Sequence, residues 1–171
     1  AHTLALVASM MSKSCNWQVV IKKLDEGKVK ANETLNGLSE YDQSVFGALQ
    51  ASYDDLVAKA KDGRDRWEAM DWSGEELQEV LCDIAVFPED MKVPKAAVYV
   101  LQEDRDHSKD DVDEMLQTLA HRSLIYLHET SVSLHDNTRD FILDKKGSKV
   151  DDGPWRERHE AGCWALCRCA V

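Results

Sequence analysis

The stretch Ser131-Val-Ser-Leu-His-Asp-Asn-Thr-Arg-Asp-Phe141 decides how this chain is read. Val132 and Leu134 alternate with Ser131 and Ser133, the period-two pattern of a short strand. Upstream, Leu124-Ile-Tyr-Leu127 predicts another strand, and Glu129-Thr130 is a short polar link, so the two predict a hairpin. Asp136 stands where a helix should begin, and its carboxylate can accept backbone N–H bonds from the first turn. Phe141, Ile142 and Leu143 supply that helix with apolar bulk. His135 is thereby placed at a corner where a strand turns into a helix N-terminus. Such a terminus favours anions, and an imidazole that is cationic or donates N–H adds to the effect.

Working back from the hairpin, three helices are predicted. Ser73 followed by Glu76 is a capping box, and Leu77, Val80, Leu81, Ile84 and Ala85 form the buried stripe behind it. Pro88 disfavours helical geometry at Phe87 and ends that helix. Pro94 suits a first helical position, with Ala97, Val98 and Leu101 on the inner face. After a loop from Asp104 to His107, Ser108 caps a third helix whose stripe is Val112, Met115, Leu116 and Leu119. Three helices and a hairpin predict a winged helix, continued by the Asp136 helix.

Further upstream, Val45, Ala48, Leu49 and Tyr53 mark another helix. Leu4, Val7, Ala8 and Met11, then Trp17, Val20, Ile21 and Leu24, mark two short amphipathic ones. Asn16 is placed to cap the second and Gly27 to stop it. Lys28 to Glu40 reads as a linker, and the charged run Lys59 to Asp71 as a surface insertion or extended helix. Trp67 and Trp72 there offer a minor candidate partner site. The fold class is therefore mainly α: a helical segment (1–38), a winged-helix subdomain with a short β-hairpin (39–145), and a tail of undetermined structure (146–171).

Leu134-His135-Asp136 resembles the Met-His-Asp signature of NB-ARC proteins, the switch ATPases of apoptosome scaffolds and plant disease-resistance receptors. Ser52-Tyr-Asp-Asp-Leu56, Val86-Phe-Pro-Glu-Asp90, Val93-Pro94 and Arg122-Ser-Leu124 look like further landmarks of that family, in its order. The resemblance covers roughly Leu4 to Leu143. It implies that the signature closes a winged-helix subdomain and that His135 contacts the β-phosphate of bound ADP. It also implies ADP/ATP sensing in signal transduction, of apoptosis or innate-immunity type. ADP would hold this part against the nucleotide-binding core of the parent protein, and exchange for ATP would permit homo-oligomerisation. Where the family carries a Gly-Leu-Pro motif at the adenine pocket, the matching positions here are Ala1-His2-Thr3.

Composition limits the alternatives. The formal net charge of −11 over 171 residues argues against nucleic acid or an anionic membrane surface as the main partner. The predicted third helix carries Asp110, Asp111, Asp113 and Glu114 against Lys109, the wrong sign for a phosphate-positioning reader helix. No apolar run approaches membrane-spanning length. Five Cys with wide gaps between the first two form no disulfide framework, so a cytoplasmic protein is expected; the absence of an initiating Met fits a fragment of a larger chain.

Enzyme chemistry is not expected. There is no Gly-x-x-x-x-Gly-Lys-Ser/Thr loop and no apolar strand ending in paired acids. Asp54-Asp55 and Asp110-Asp111 read as solvated surface. His128 and His135 have no nucleophile near them in any motif. In the tail, His159, Cys163 and Cys167 are spaced by four, but no Cys-x-x-Cys knuckle is present. The expectation is no metal site and an unstructured or divergent tail with free thiols. The reading is the nucleotide-sensing half of a switch ATPase without its catalytic half. The alternative is a stand-alone protein-interaction winged-helix module without nucleotide binding.

Overall fold

A computed structural model describes residues 18, 21, 22, 24–26, 40–60, 72–88, 91–145 and 153–169. The expectations for 1–17, the stop at Gly27, most of the linker, the charged run at 61–71 with Trp67, and Glu89-Asp90 lie outside the described residues. Gln18, Ile21, Lys22 and 24–26 are helical, as the spacing predicts; Ile21 is 51% exposed. The chain is mainly helical with one small antiparallel sheet. No helix among the described residues is long and apolar enough to cross a membrane. Two compact units divide it, Ala1–Gln78 with His121–Leu124, and Glu79–Ala120 with Ile125–Val171.

The first unit is built on helix α1 (Glu40–Ala60) and the start of helix α2 (Gly74–Ala85). Val45, Ala48, Leu49, Ser52, Tyr53 and Leu56 are buried at helical spacing. Asp55, read from sequence as solvated, is 2% exposed and bonds the guanidinium of Arg122, itself 7% exposed. A charge so buried persists only when paired. The Ser52 hydroxyl donates to the Arg122 carbonyl at 3.5 Å, and Gln78 Nε2 to the Tyr53 carbonyl at 3.0 Å. Ser52–Leu56 and Arg122–Leu124 thus form one joint. Asp54 accepts from Gln50 at 2.7 Å and lies, like Asp55, on α1. At Gly74 a Cβ would stand 2.6 Å from Val57 Cα, so only glycine allows this approach of α2 to α1. The capping box forms: Ser73 Oγ accepts from Glu76 N–H at 3.2 Å, and Glu76 accepts from Ser73 N–H.

The second unit holds the small sheet and most of the helices around it. From Glu79 onward α2 is followed by strand β1 (Val93–Pro94), helix α3 (Lys95–Gln102), a 3₁₀ turn (Glu103–Arg105), helix α4 (Lys109–His121), then strands β2 (Tyr126–Leu127) and β3 (Ser131–Ser133). Strand order is β1-β3-β2, all antiparallel, with Val93 opposite Val132, Pro94 opposite Ser131, and Leu127 opposite Val132. The hairpin forms as expected, closed by His128 N–H to the Ser131 carbonyl at 2.8 Å. The strand expected over 124–127 is shorter. Ser123, at φ 56, turns the chain off α4, so Leu124 and Ile125 are buried but unpaired, and only Tyr126 and Leu127 face β3. Pro94 precedes the helix instead of opening it, because it is held in the edge strand at ψ 135. The core is Val80, Leu81, Ile84, Val98, Met115, Leu116, Leu119, Val132 and Ile142. Ser108 caps α4, its hydroxyl accepting from Asp111 N–H at 3.2 Å while Asp111 accepts from Ser108 N–H at 2.8 Å.

Helix α5 (Asp136–Lys145) follows β3, and helix α6 (Gly153–Cys169) follows that. Of the tail whose structure the sequence leaves undetermined, 146–152 lie outside the described residues, and Gly153–Cys169 is a helix of the second unit, packed on α3. Its inner face uses small residues: Ala165 is fully buried, and a Cβ at Gly162 would lie 2.9 Å from Val86 Cγ2. Arg158 reaches Asp83 and Glu79. Asp83 also accepts from Gln102 Nε2 at 2.8 Å and Arg105 Nη1 at 2.7 Å. Burial pushes the Asp83 carboxyl up, and Arg105 and Arg158 oppose that rise. Burial works to lower the Arg158 guanidinium, but Asp83 and Glu79 outweigh it and the net direction is up, as for a charged pair. Among the described residues no buried side-chain N or O lacks a partner.

Candidate functional site

The corner that the sequence singles out is the wall of an open cleft of about 410 Å³ in the second unit. Lys92 enters it from just before β1, Tyr126 from β2, and His128 from the hairpin turn. Ser133 and Leu134 come from the end of β3, and His135 and Asp136 from the start of α5. The sheet order explains the assembly. β3 is central, so its last residues meet groups from both outer strands, and Tyr126 lies directly opposite Ser133. Tyr126 and His128 are two apart and share a sheet face. His128 Nε2 is 3.4 Å from Ser133 Oγ, and the Tyr126 and His135 rings lie 6.4 Å apart at 42°.

His135, the one residue expected to contact a cofactor, lines this cleft and is half-buried. Its role in the corner differs from the expectation. Asp136 is the first helical residue and is exposed. His135 is the cap: its carbonyl accepts from Thr138 N–H at 2.8 Å and Arg139 N–H at 3.0 Å, and its Nδ1 accepts from Asn137 N–H at 3.3 Å. The imidazole can offer a ring N–H to a ligand in the cleft. Asp136, as a carboxylate in the first turn, favours the helix dipole instead of capping the chain ends. Arg139 Nε donates to the Phe87 carbonyl at 2.8 Å, tying α5 to the Val86-Phe87-Pro88 turn.

Chemically the cleft offers an ammonium from Lys92, imidazoles from His128 and His135, hydroxyls from Tyr126 and Ser133, and one carboxylate from Asp136. That set presents more donors than acceptors and suits an anion. Sequence reading did not reach Lys92 or Tyr126, and it set His128 aside. A two-residue strand such as β1 leaves almost no periodic signal, and without its pairing Lys92 has no reason to lie near His135.

The other groups weighed from sequence lie elsewhere. Asp113 accepts from the Tyr99 hydroxyl at 2.9 Å and meets Lys95 at 3.2 Å. Burial first, and then Asp113, push the Tyr99 hydroxyl up to about 12. Cys163 Sγ lies 3.9 Å from His159 Nδ1, and Cys163 and Cys167 are exposed free thiols on α6. Among the described residues no three His, Cys, Asp or Glu side chains come together to hold a metal ion. Ala1-His2-Thr3 lie outside the described residues. No family model, no curated protein and no solved structure matches this chain.

Proposed function

We propose that this chain is the ADP/ATP-state-sensing regulatory part of a switch ATPase of NB-ARC type. Its partner in that role is the nucleotide-binding core of a parent protein, and ADP held between them keeps the protein closed. The observation that carries the reading is the position of His135. It stands at the N-terminus of α5, on a cleft wall shared with Lys92 and His128. A phosphate there meets an N–H donor, a cation and a helix N-terminus together. A ring N–H donating to a charged phosphate contributes about 1.5–3 kcal/mol, so its loss weakens ADP by roughly ten- to a hundredfold.

The test is the ADP off-rate of a protein carrying this region with its nucleotide-binding core, as wild type, His135→Ala and His135→Asn. Both variants should release ADP faster and raise the oligomer fraction. Asn keeps a capping acceptor, so it separates loss of the phosphate contact from loss of the cap. An unchanged off-rate in a folded His135→Asn protein rejects the latch. The chain of 171 residues alone should show neither ATP hydrolysis nor micromolar ADP affinity, since it has no phosphate loop.

A second reading, a protein-interaction module without nucleotide binding, is favoured by Trp164. This side chain is 71% exposed on α6, and large exposed aromatics are enriched at interfaces. Retained ADP kinetics in His135→Asn together with partner loss in Trp164→Ala would select it.

A further inference from the structure

We propose that His159 and Cys163, on the outer face of α6, form a two-ligand site for a soft metal ion of the zinc class. Neither residue lines the His135 cleft, so the site is independent of nucleotide binding. A Cys-x-x-Cys knuckle is the usual mark of zinc, but a helix can present the same donors at another spacing. Steps of four place His159, Cys163 and Cys167 on one stripe of α6. All three are exposed, while Gly162 and Ala165 of the same helix are buried. Both thiols are free. Cys163 Sγ lies 3.9 Å from His159 Nδ1. With a metal–nitrogen bond of about 2.0–2.1 Å and a metal–sulfur bond of about 2.3 Å, two donors on one ion stand about 3.5 Å apart at the tetrahedral angle and about 4.3 Å apart in line. The observed separation falls inside that range. One ion therefore fits between the two atoms with little rotation of either side chain.

The donors select the ion. Thiolate with imidazole suits zinc and monovalent copper, whereas magnesium and calcium require oxygen ligands. Glu160, the nearest carboxylate along the chain, accepts from Arg156 Nε at 3.0 Å. Among the described residues no third His, Cys, Asp or Glu completes the pair as it stands. Cys167 is one turn beyond Cys163, with about 5–6 Å between Cβ atoms at that spacing, so it reaches the ion only by rotating. The site is thus open, with water in the remaining positions. It differs from a closed four-ligand site, in which the metal is needed for folding.

The test is a titration of the full chain, reduced and kept from air, with Cd²⁺, whose bond to a thiolate absorbs in the ultraviolet. Zn²⁺ and Mg²⁺ are then added as competitors. The expected result is saturation at one ion per chain, with amide shifts confined to 156–169, and displacement by Zn²⁺ but not by Mg²⁺. Circular dichroism should be unchanged by a chelator. His159→Ala and Cys163→Ser should each weaken binding by at least roughly tenfold, the scale already set by losing an outer-shell partner, and Cys167→Ser by less than either. His159→Cys keeps a soft donor and should retain binding. These side chains are exposed, and circular dichroism verifies folding in each variant. A wild type that gives no more thiolate absorption than Cys163→Ser overturns the site. So does displacement by Mg²⁺ as readily as by Zn²⁺. Unchanged affinity in His159→Ala, with Cys167→Ser losing as much as Cys163→Ser, assigns the ion to the two thiols and overturns the His–Cys pair.

Discussion

Replacing Arg122 by Met removes one half of the ion pair that joins α1 to the turn after α4. Asp55 is 2% exposed and Arg122 is 7% exposed, so neither charge is well solvated. The methionine keeps most of the apolar stem volume, and the Ser52 hydroxyl still has the residue-122 carbonyl to donate to. What is lost is the charge partner of Asp55. Leaving a buried charge uncompensated costs about 3–5 kcal/mol. Some water can follow a side chain that is not wholly enclosed, which places the expectation near about 3 kcal/mol. With a urea slope of about 1–3 kcal/mol/M, the midpoint falls by roughly 1–3 M. Unfolding is followed by circular dichroism and tryptophan fluorescence together, because two units need not melt as one. The double variant Asp55→Leu with Arg122→Met removes both charges and should recover most of the loss. The reasoning fails if Arg122→Met stays within about 1 kcal/mol of wild type, or if the double variant is no better than the single one.

His135→Ala should lower stability by about 1 kcal/mol through loss of the α5 cap, and His135→Asn by much less. Asp136→Ala, which removes only a dipole interaction, should cost about 0.3–1 kcal/mol; thermal melts showing Asp136→Ala as the worse variant would return the capping role to Asp136. Gly74→Ala should destabilise by about 1–3 kcal/mol, since its Cβ meets backbone that cannot step aside, and denaturant titration reads this directly. The Ser108 hydroxyl, and then its N–H, hold the Asp111 carboxyl below the ordinary value of 3.8. A lowered folded value means stability that is present above 3.8 and lost as pH falls through the folded value. The gap between wild type and Asp111→Asn should therefore be level well above 3.8 and close in acid, and a gap that widened in acid would contradict the sign.

Much of the secondary structure was legible because its causes are local. The stripe Val112, Met115, Leu116 and Leu119 marked α4, and all four side chains are fully buried. The Ser73–Glu76 box and the Ser108 cap act over three residues. The hairpin showed itself in alternation and a short polar link. Such terms depend on neighbours within a turn or two, so a one-dimensional string contains them. The full extent of helix α6 is not legible for a related reason. Its inner face is Gly162 and Ala165, and a glycine in mid-helix argues against a helix unless close packing requires it.

For the site, the sequence alone marked His135 and the corner it occupies. Its local bonds reversed the assignment of the cap, because Asp136 falls one residue inside the helix and the Nδ1 of His135 takes the Asn137 N–H. The tertiary structure alone decided that Asp55 is a buried partner of Arg122, 67 residues away, instead of a solvated acid. It alone brought Lys92 to the cleft, through a two-residue strand whose pairing leaves no period to read. Contacts of that kind form only when long loops close and many weak local preferences are satisfied together, so their identity is a property of the folded chain and not of any window along it.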